Sequence, residues 1–298
     1  MSIEPLTVKE SAERLHGIGL ICGAVATFTL VDTTAKFAAV HGIPTIEVVW
    51  ARYALSVVAG ALLLRPWQRL ADYVTRRPAM QALRSLFLLL STVFNFIAIQ
   101  HLQLSQTVSI NFASPLIVTA LAGPVLGEWA GPRRWAAVIV GFIGVIIVAR
   151  PDPGAFHPAV LFSIASALAY AGYALTTRLL SATESPGGML MYGSLVATVA
   201  LTAALPVTRI VLPGWQIAGV LVLCGTAGAI SHWFVILANR RTPATVLAPF
   251  SYTQLLSMIA AGYLVFGDVP SLSTLLGALV IVASGLYILY RQQVHRDR

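Results

Sequence analysis

Ten stretches of roughly twenty apolar residues, separated by short polar connections, occupy almost the whole chain. A helix rising 1.5 Å per residue needs ~20 residues to cross the ~30 Å hydrocarbon core of a bilayer. The windows fall at 16–38, 44–64, 79–100, 104–126, 134–149, 158–179, 187–205, 215–238, 243–266 and 272–290. Between them stand turn-forming points such as Arg65-Pro66, Gly131-Pro132, Pro151-Asp152-Pro153-Gly154 and Pro213-Gly214. These connections leave no room for a soluble domain. Only 10% of the 298 residues are charged, against ~25% in soluble domains, so most of the surface must face lipid. The fold expected is an all-α membrane protein of ten transmembrane helices.

The net charge of +8 does not mark a nucleic-acid binder, because the charges sit between the spans. Fourteen Lys and Arg residues fall on one set of connections and tails, among them Arg65, Arg69, Arg76, Arg77, Arg133, Arg134, Arg178, Arg240 and Arg241. Arg150 and Arg209 alone fall on the other set. Cytoplasmic loops carry the Lys/Arg excess, and an even number of spans returns the chain to its starting side. Both termini are therefore expected in the cytoplasm, with the protein in the inner membrane. The first apolar run is long and lacks a cleavage site, so it reads as span 1 and not as a signal peptide. Cys22 and Cys224 each lie inside a span, with no metal-ligand spacing and no disulfide framework. No metal or cofactor is expected.

The chain repeats itself. Leu104-Ser-Gln-Thr-Val-Ser-Ile-Asn-Phe112 opens span 4, which ends at Leu126-Gly127-Glu128. Thr242-Pro-Ala-Thr-Val-Leu-Ala-Pro-Phe250 opens span 9, which ends at Phe266-Gly267-Asp268. Thr107-Val108 aligns with Thr245-Val246, and Phe112 with Phe250. Each is followed by a Gly-containing aliphatic span. The unit is five helices, giving domains at residues 1–150 and 151–298. Five is odd, so the second copy enters the membrane in the opposite sense, which is a signature of secondary transporters.

These residues, together with Pro44-Thr-Ile-Glu-Val-Val-Trp-Ala-Arg52-Tyr53 at the start of span 2, resemble the EamA-type transporters of the drug/metabolite transporter superfamily along essentially the whole chain. The resemblance implies two inverted five-helix repeats, a central cavity and alternating access. It also implies cargoes among amino acids, other small metabolites and, in related branches, nucleotide sugars. The departure is the basic pair in Glu128-Trp-Ala-Gly-Pro-Arg-Arg134, which affects a loop.

Charge inside hydrocarbon costs at least ~2.5–3.5 kcal/mol near a helix centre. Asp32 and Lys36 on span 1 share a helix face, and Glu47 and Arg52 lie on span 2. The four charges sum to zero and read as an ion-pair network pinning span 1 to span 2, or as gating groups of an outer cavity. Asn95, Asn111, Ser114, Tyr170, His232, Trp233, Tyr252 and Gln254 are the polar and aromatic groups expected to bind substrate, on spans 3 and 4 facing 8 and 9 with 1 and 6 at the sides. Spans 5 and 10 read as scaffold. Gly19 and Gly23 read as a close-packing pair, and Pro115 and Pro249 as points of helix bending.

Amides, hydroxyls and rings with few fixed charges suit a net-neutral, amino-acid-like solute. A multiply phosphorylated ligand fits poorly, because no cluster of Arg or Lys is read at mid-depth to neutralise it. The expected function is export of aromatic or neutral amino acids by a monomer, with the direction taken from the resemblance. The alternatives are an importer of another small or nucleotide-like solute and, from a different class, a membrane-embedded enzyme. The sequence holds no His-Glu-x-x-His, Gly-x-Ser-x-Gly or P-loop motif to support the last. The topology has a direct test: a reporter fused after Arg298 reads cytoplasmic, and one inserted at 151–158 reads extracytoplasmic. An extracytoplasmic C-terminus overturns the orientation.

Overall fold

The computed structural model describes residues 8–68, 73–127, 129, 131–149, 157–181, 183–204, 214–242 and 244–296. Among them twelve α-helices follow one another: α1 (Val8–Val40), α2 (Thr45–Leu64), α3 (Pro78–His101), α4 (Leu104–Asn111), α5 (Ser114–Leu126), α6 (Pro132–Ala149), α7 (Ala159–Leu180), α8 (Pro186–Ala204), α9 (Trp215–Arg241), α10 (Ala244–Ser251), α11 (Gln254–Phe266) and α12 (Leu272–Arg296). Among the described residues, nine spans are long and apolar enough to cross a membrane, with α4 and α5 counted together as one. The tenth crossing is α10 with α11, of 8 and 13 residues, the same lengths as α4 and α5. Arg69, Glu128, Arg150, the 151–156 connection, Arg209 and Arg298, which entered the repeat and the topology above, lie outside the described residues.

The second half copies the first at a constant shift. Leu104 opens α4 and Ala244 opens α10, 140 positions on. The same shift carries the ends of α1, α2 and α3, at Val40, Leu64 and His101, to the ends of α7, α8 and α9, at Leu180, Ala204 and Arg241. It also carries Pro132, the start of α6, to Leu272, the start of α12. The alignment of Thr107 with Thr245 is therefore two residues out, and the counterpart of Phe112 is Tyr252, not Phe250. Because each half holds five crossings, the halves run in opposite senses. They also interlock: α1 of the first half packs along α9 of the second, α7 along α3, and α6 along α12. Neither half encloses its own core.

Close approach along two of these seams depends on glycine. A β-carbon at Gly144 would lie 2.9 Å from the Gly277 carbonyl oxygen, and one at Gly277 2.6 Å from the Gly144 carbonyl oxygen, so α6 and α12 touch backbone to backbone. On α1 the expected pair is half present. A β-carbon at Gly23 would meet the Phe234 ring at 3.2 Å, whereas Gly19 faces open space. The outward faces carry Ile139, Val140, Ile143 and Ile146 on α6 and Leu272, Leu276 and Leu279 on α12, all exposed, as a lipid-facing surface requires.

Spans 4 and 9 are each broken near the middle. Pro115 has no N–H for the Asn111 carbonyl, and the Ser114 hydroxyl donates to that carbonyl instead, at 2.6 Å. In the second half the Thr253 hydroxyl donates to the Phe250 carbonyl at 2.6 Å. Gly127 and Gly267 end α5 and α11 at φ 74° and 70°, a left-handed conformation that glycine adopts without strain. After Gly267 the Asp268 amide donates back to the Gly262 carbonyl at 3.0 Å. That turn holds Asp268 against Lys36, whose Nζ lies 2.8 Å from Oδ2. The same Nζ donates to the Leu102 carbonyl at 3.0 Å and faces the Phe266 ring at 4.6 Å. One ammonium thus joins the end of α1, the α3–α4 turn and the α11–α12 turn. Asp268→Asn leaves Lys36 buried without its counter-charge. With Asp268 a quarter exposed, the expected loss is about 2–3 kcal/mol, read as a lower melting temperature in detergent that Lys36→Met with Asp268→Leu largely restores.

Candidate functional site

The broken helices cross beside a cavity of about 410 Å³. Its walls come from α1 (Phe28, Val31, Asp32), α2 (Arg52), α3 (Leu88 to Phe96), the α4–α5 break (Val108, Asn111, Phe112, Ser114, Pro115), α7 (Ser166, Tyr170), α9 (His232), the α10–α11 break (Ser251, Tyr252, Gln254) and Leu289 of α12. Spans 3, 4 and 9 face it as expected. Span 8 supplies only His232, and span 1 contributes more than a side wall. Among the described residues span 5 supplies nothing, and span 10 a single leucine.

Seven of the eight residues expected to bind substrate line this cavity: Asn95, Asn111, Ser114, Tyr170, His232, Tyr252 and Gln254. Trp233 does not, because adjacent helical residues point ~100° apart and His232 takes the inward direction. Asp32 and Arg52 also face the cavity, while Lys36 and Glu47 do not. Of the four charges expected in one network between spans 1 and 2, Lys36 takes its partner from elsewhere. Lys36 stands one turn beyond Asp32 and pairs with Asp268. Glu47 precedes Arg52 by five residues, ~140° round the helix, and is buried away from the cavity.

The polar wall is organised as a chain. Asn111 Nδ2 donates to Asn95 Oδ1 at 3.0 Å, and Asn95 Nδ2 donates to Asp32 Oδ1 at 3.0 Å. It runs from the α4–α5 break through α3 to α1. Arg52 is held differently. Nη1 donates to Thr92 Oγ1 at 3.3 Å, and the guanidinium lies 4.7 Å from the Tyr53 ring and 5.9 Å from the Phe96 ring. Asp32 and Arg52 thus face one cavity without forming a direct ion pair. Phe112 and its counterpart Tyr252 meet edge to face, centroids 5.0 Å apart, and Phe28 meets His232 edge to face at 5.2 Å. The wall therefore offers one anionic group, one cationic group, amides that donate and accept, and the edges and faces of several rings.

Two residues escaped the sequence reading. Arg84, six positions into α3, is 2% exposed. Its position inside the 79–100 window was the available signal, since a charge there belongs to no connection. It supplies a second deep cation, which does not line the cavity itself. Asp268 was read as a marker of the repeat, when its carboxylate is the partner of Lys36. Replacing Asn95 by Leu leaves the Asn111 amide and the Asp32 carboxylate each short of a partner. At ~1–3 kcal/mol per unsatisfied buried group, solute affinity is expected to fall roughly tenfold or more. Asn95 and Asn111 substitutions are expected to couple by ~0.5–3 kcal/mol in a double-mutant cycle, and strict additivity would show that the chain carries no energy.

Comparison with known proteins follows the same lines. An S-adenosylmethionine uptake transporter of Rickettsia felis is 27% identical over 290 residues, 95% of this chain and 96% of that one. A riboflavin transporter of Vibrio cholerae is 29% identical over 278 residues, 92% and 93% of the two chains. A pseudopaline exporter of Pseudomonas aeruginosa is 25% identical, covering 90% and 94%. One solved crystal structure shares the fold, with a TM-score of 0.64 at 14% identity over 97% of this chain and 99% of the other. A model described as the EamA-like transporter family matches residues 15–150 and 157–290. With two inverted five-helix halves around a polar cavity, the chain belongs to the EamA-like transporter family and is a secondary transporter, not an enzyme.

Proposed function

We propose that the transported solute joins a flat aromatic ring system to a zwitterionic or strongly polar end, carries little net charge, and is larger than a single amino acid. The observation that carries this reading is the presence of Asp32 and Arg52 on one cavity wall without a direct ion pair between them. Each has a neutral protein partner and keeps capacity for a solute group of opposite sign. A zwitterion satisfies both at once, and a solute with one strong charge leaves the other uncompensated, which a desolvated site penalises. Phe28, Phe96, Phe112, Tyr170 and Tyr252 supply ring contacts, which favour offset or edge-to-face geometry.

Size supports a ligand beyond the amino acids expected from sequence. At about 410 Å³ the cavity falls within the ~300–1,000 Å³ of sites that take drug-sized ligands. S-adenosylmethionine and riboflavin, named for the relatives from Rickettsia and Vibrio, both unite a ring system with a polar arm. S-adenosylmethionine matches the Asp32–Arg52 pairing through its zwitterionic amino-acid end, and its extra sulfonium charge is of the kind that aromatic faces attract. Residues 1–150 and 151–298 act in this reading as the two halves that exchange inner and outer access, in the inner membrane with both termini cytoplasmic.

The test is uptake into proteoliposomes of labelled S-adenosylmethionine, riboflavin, tryptophan and phenylalanine, measured in both orientations so that direction is read in the same assay. Saturable S-adenosylmethionine flux, inhibited by excess unlabelled solute and reduced at least tenfold by Asp32→Asn or Arg52→Gln at matched expression, is expected. Flux of the amino acids alone returns the solute to the smaller class and its export. Saturable flux unaffected by both substitutions removes the charge pairing from recognition.

A further inference from the structure

The central cavity is adjoined by a second, much smaller void of about 20 Å³, and Arg52, Leu88 and His232 line both. Arg84 lies on the smaller void with Ser56, Tyr173 and Ser194. Among the described residues no Asp or Glu lines it. Arg84 is 2% exposed. Its hydrogen bonds go to neutral oxygens: Nε donates to Gln81 Oε1 at 2.9 Å and Nη2 to the Met189 carbonyl. Its guanidinium also lies 5.2 Å from the Tyr173 ring. Arg52, 6% exposed, has a buried Nε that donates to nothing among the described residues. Two buried guanidiniums thus border one void that no described carboxylate borders.

A void must exceed ~10–15 Å³ to hold a water-sized occupant, so this one admits a single small species. Buried cations with no neighbouring carboxylate at the void are costly, and two of like sign there repel each other. A negative occupant relieves both penalties through charge-assisted hydrogen bonds. We infer that the void is a binding site for one monovalent anion held between Arg52 and Arg84. The chemistry has two sources, an inorganic halide or the carboxylate of a solute reaching in from the main cavity. A halide is the smaller of the two, and this assignment goes beyond the reading of the main cavity and does not depend on it.

The experiment uses the purified full chain in detergent, with no transported solute, so its outcome is separate from that of the solute panel. Thermal unfolding is measured at constant ionic strength in sodium methanesulfonate, a bulky reference anion, and after replacing it with chloride, bromide or acetate. A bound halide raises the melting temperature in chloride and bromide by about 2–4 °C, and a rise in acetate alone identifies a carboxylate as the occupant. Arg84→Gln abolishes the increment, and Arg84→Lys, which keeps the charge, retains part of it. Should the Gln variant not fold, the Lys variant decides, through a several-fold rise in the half-saturating anion concentration. Equal melting temperatures in all four anions, an increment that survives Arg84→Gln, or an unchanged half-saturating concentration in Arg84→Lys overturns the site.

Discussion

A backbone amide or carbonyl in hydrocarbon has no water to turn to, so irregular chain at membrane depth survives only inside protein or beside a polar cavity. Eight of the ten crossings meet this constraint by remaining unbroken helix, and two do not. The α4–α5 and α10–α11 breaks are tolerated because the Ser114 and Thr253 hydroxyls take up backbone carbonyls and because both breaks lie at the cavity. The breaks also aim side chains. They bring Phe112 against Tyr252 and let Asn111 reach Asn95. The constraint that confines irregular backbone thus also places the site.

Interlocking makes the two halves one structure. Since α1 packs along α9 and α7 along α3, the seams between the halves are more extensive than most contacts within them. The backbone symmetry is close, yet the chemistry on it is not symmetric. At the 140-residue shift, Asp32 corresponds to Gly172, Arg52 to Tyr192 and Asn95 to Val235. The first half therefore carries the charges and the amide chain. The second half contributes Ser166, Tyr170, His232, Ser251, Tyr252 and Gln254. The charges at the cavity thus come from one half, while hydroxyls, amides and rings come from both.

Three buried cations show three ways of meeting the cost of charge in the membrane. Lys36 has a carboxylate, Asp268, whose position follows from the glycine that ends α11. Arg52 has a hydroxyl and two ring faces, and shares the cavity with Asp32. Arg84 has neutral oxygens and a ring. Compensation by charge decreases from Lys36 through Arg52 to Arg84 at the small void.

The ten spans, their short connections and the five-helix repeat were legible in the chain because hydropathy is local and adds up residue by residue. So were the individual polar residues that the membrane would not tolerate without partners, among them Asp32, Arg52, Asn95 and His232. What remained illegible was direction and partnership. Trp233 and His232 are equally plausible neighbours in sequence, and helix rotation sends only His232 to the cavity. Lys36 is four residues from Asp32 but pairs with Asp268, 232 positions away. Sequence spacing ranks partners along one helix, whereas an ion pair in hydrocarbon forms between whichever groups the packing of different helices brings within reach. By itself the sequence determined that these charges must be satisfied. The tertiary structure alone decided by whom, because the rotation of each helix is set by its neighbours and not by its own residues.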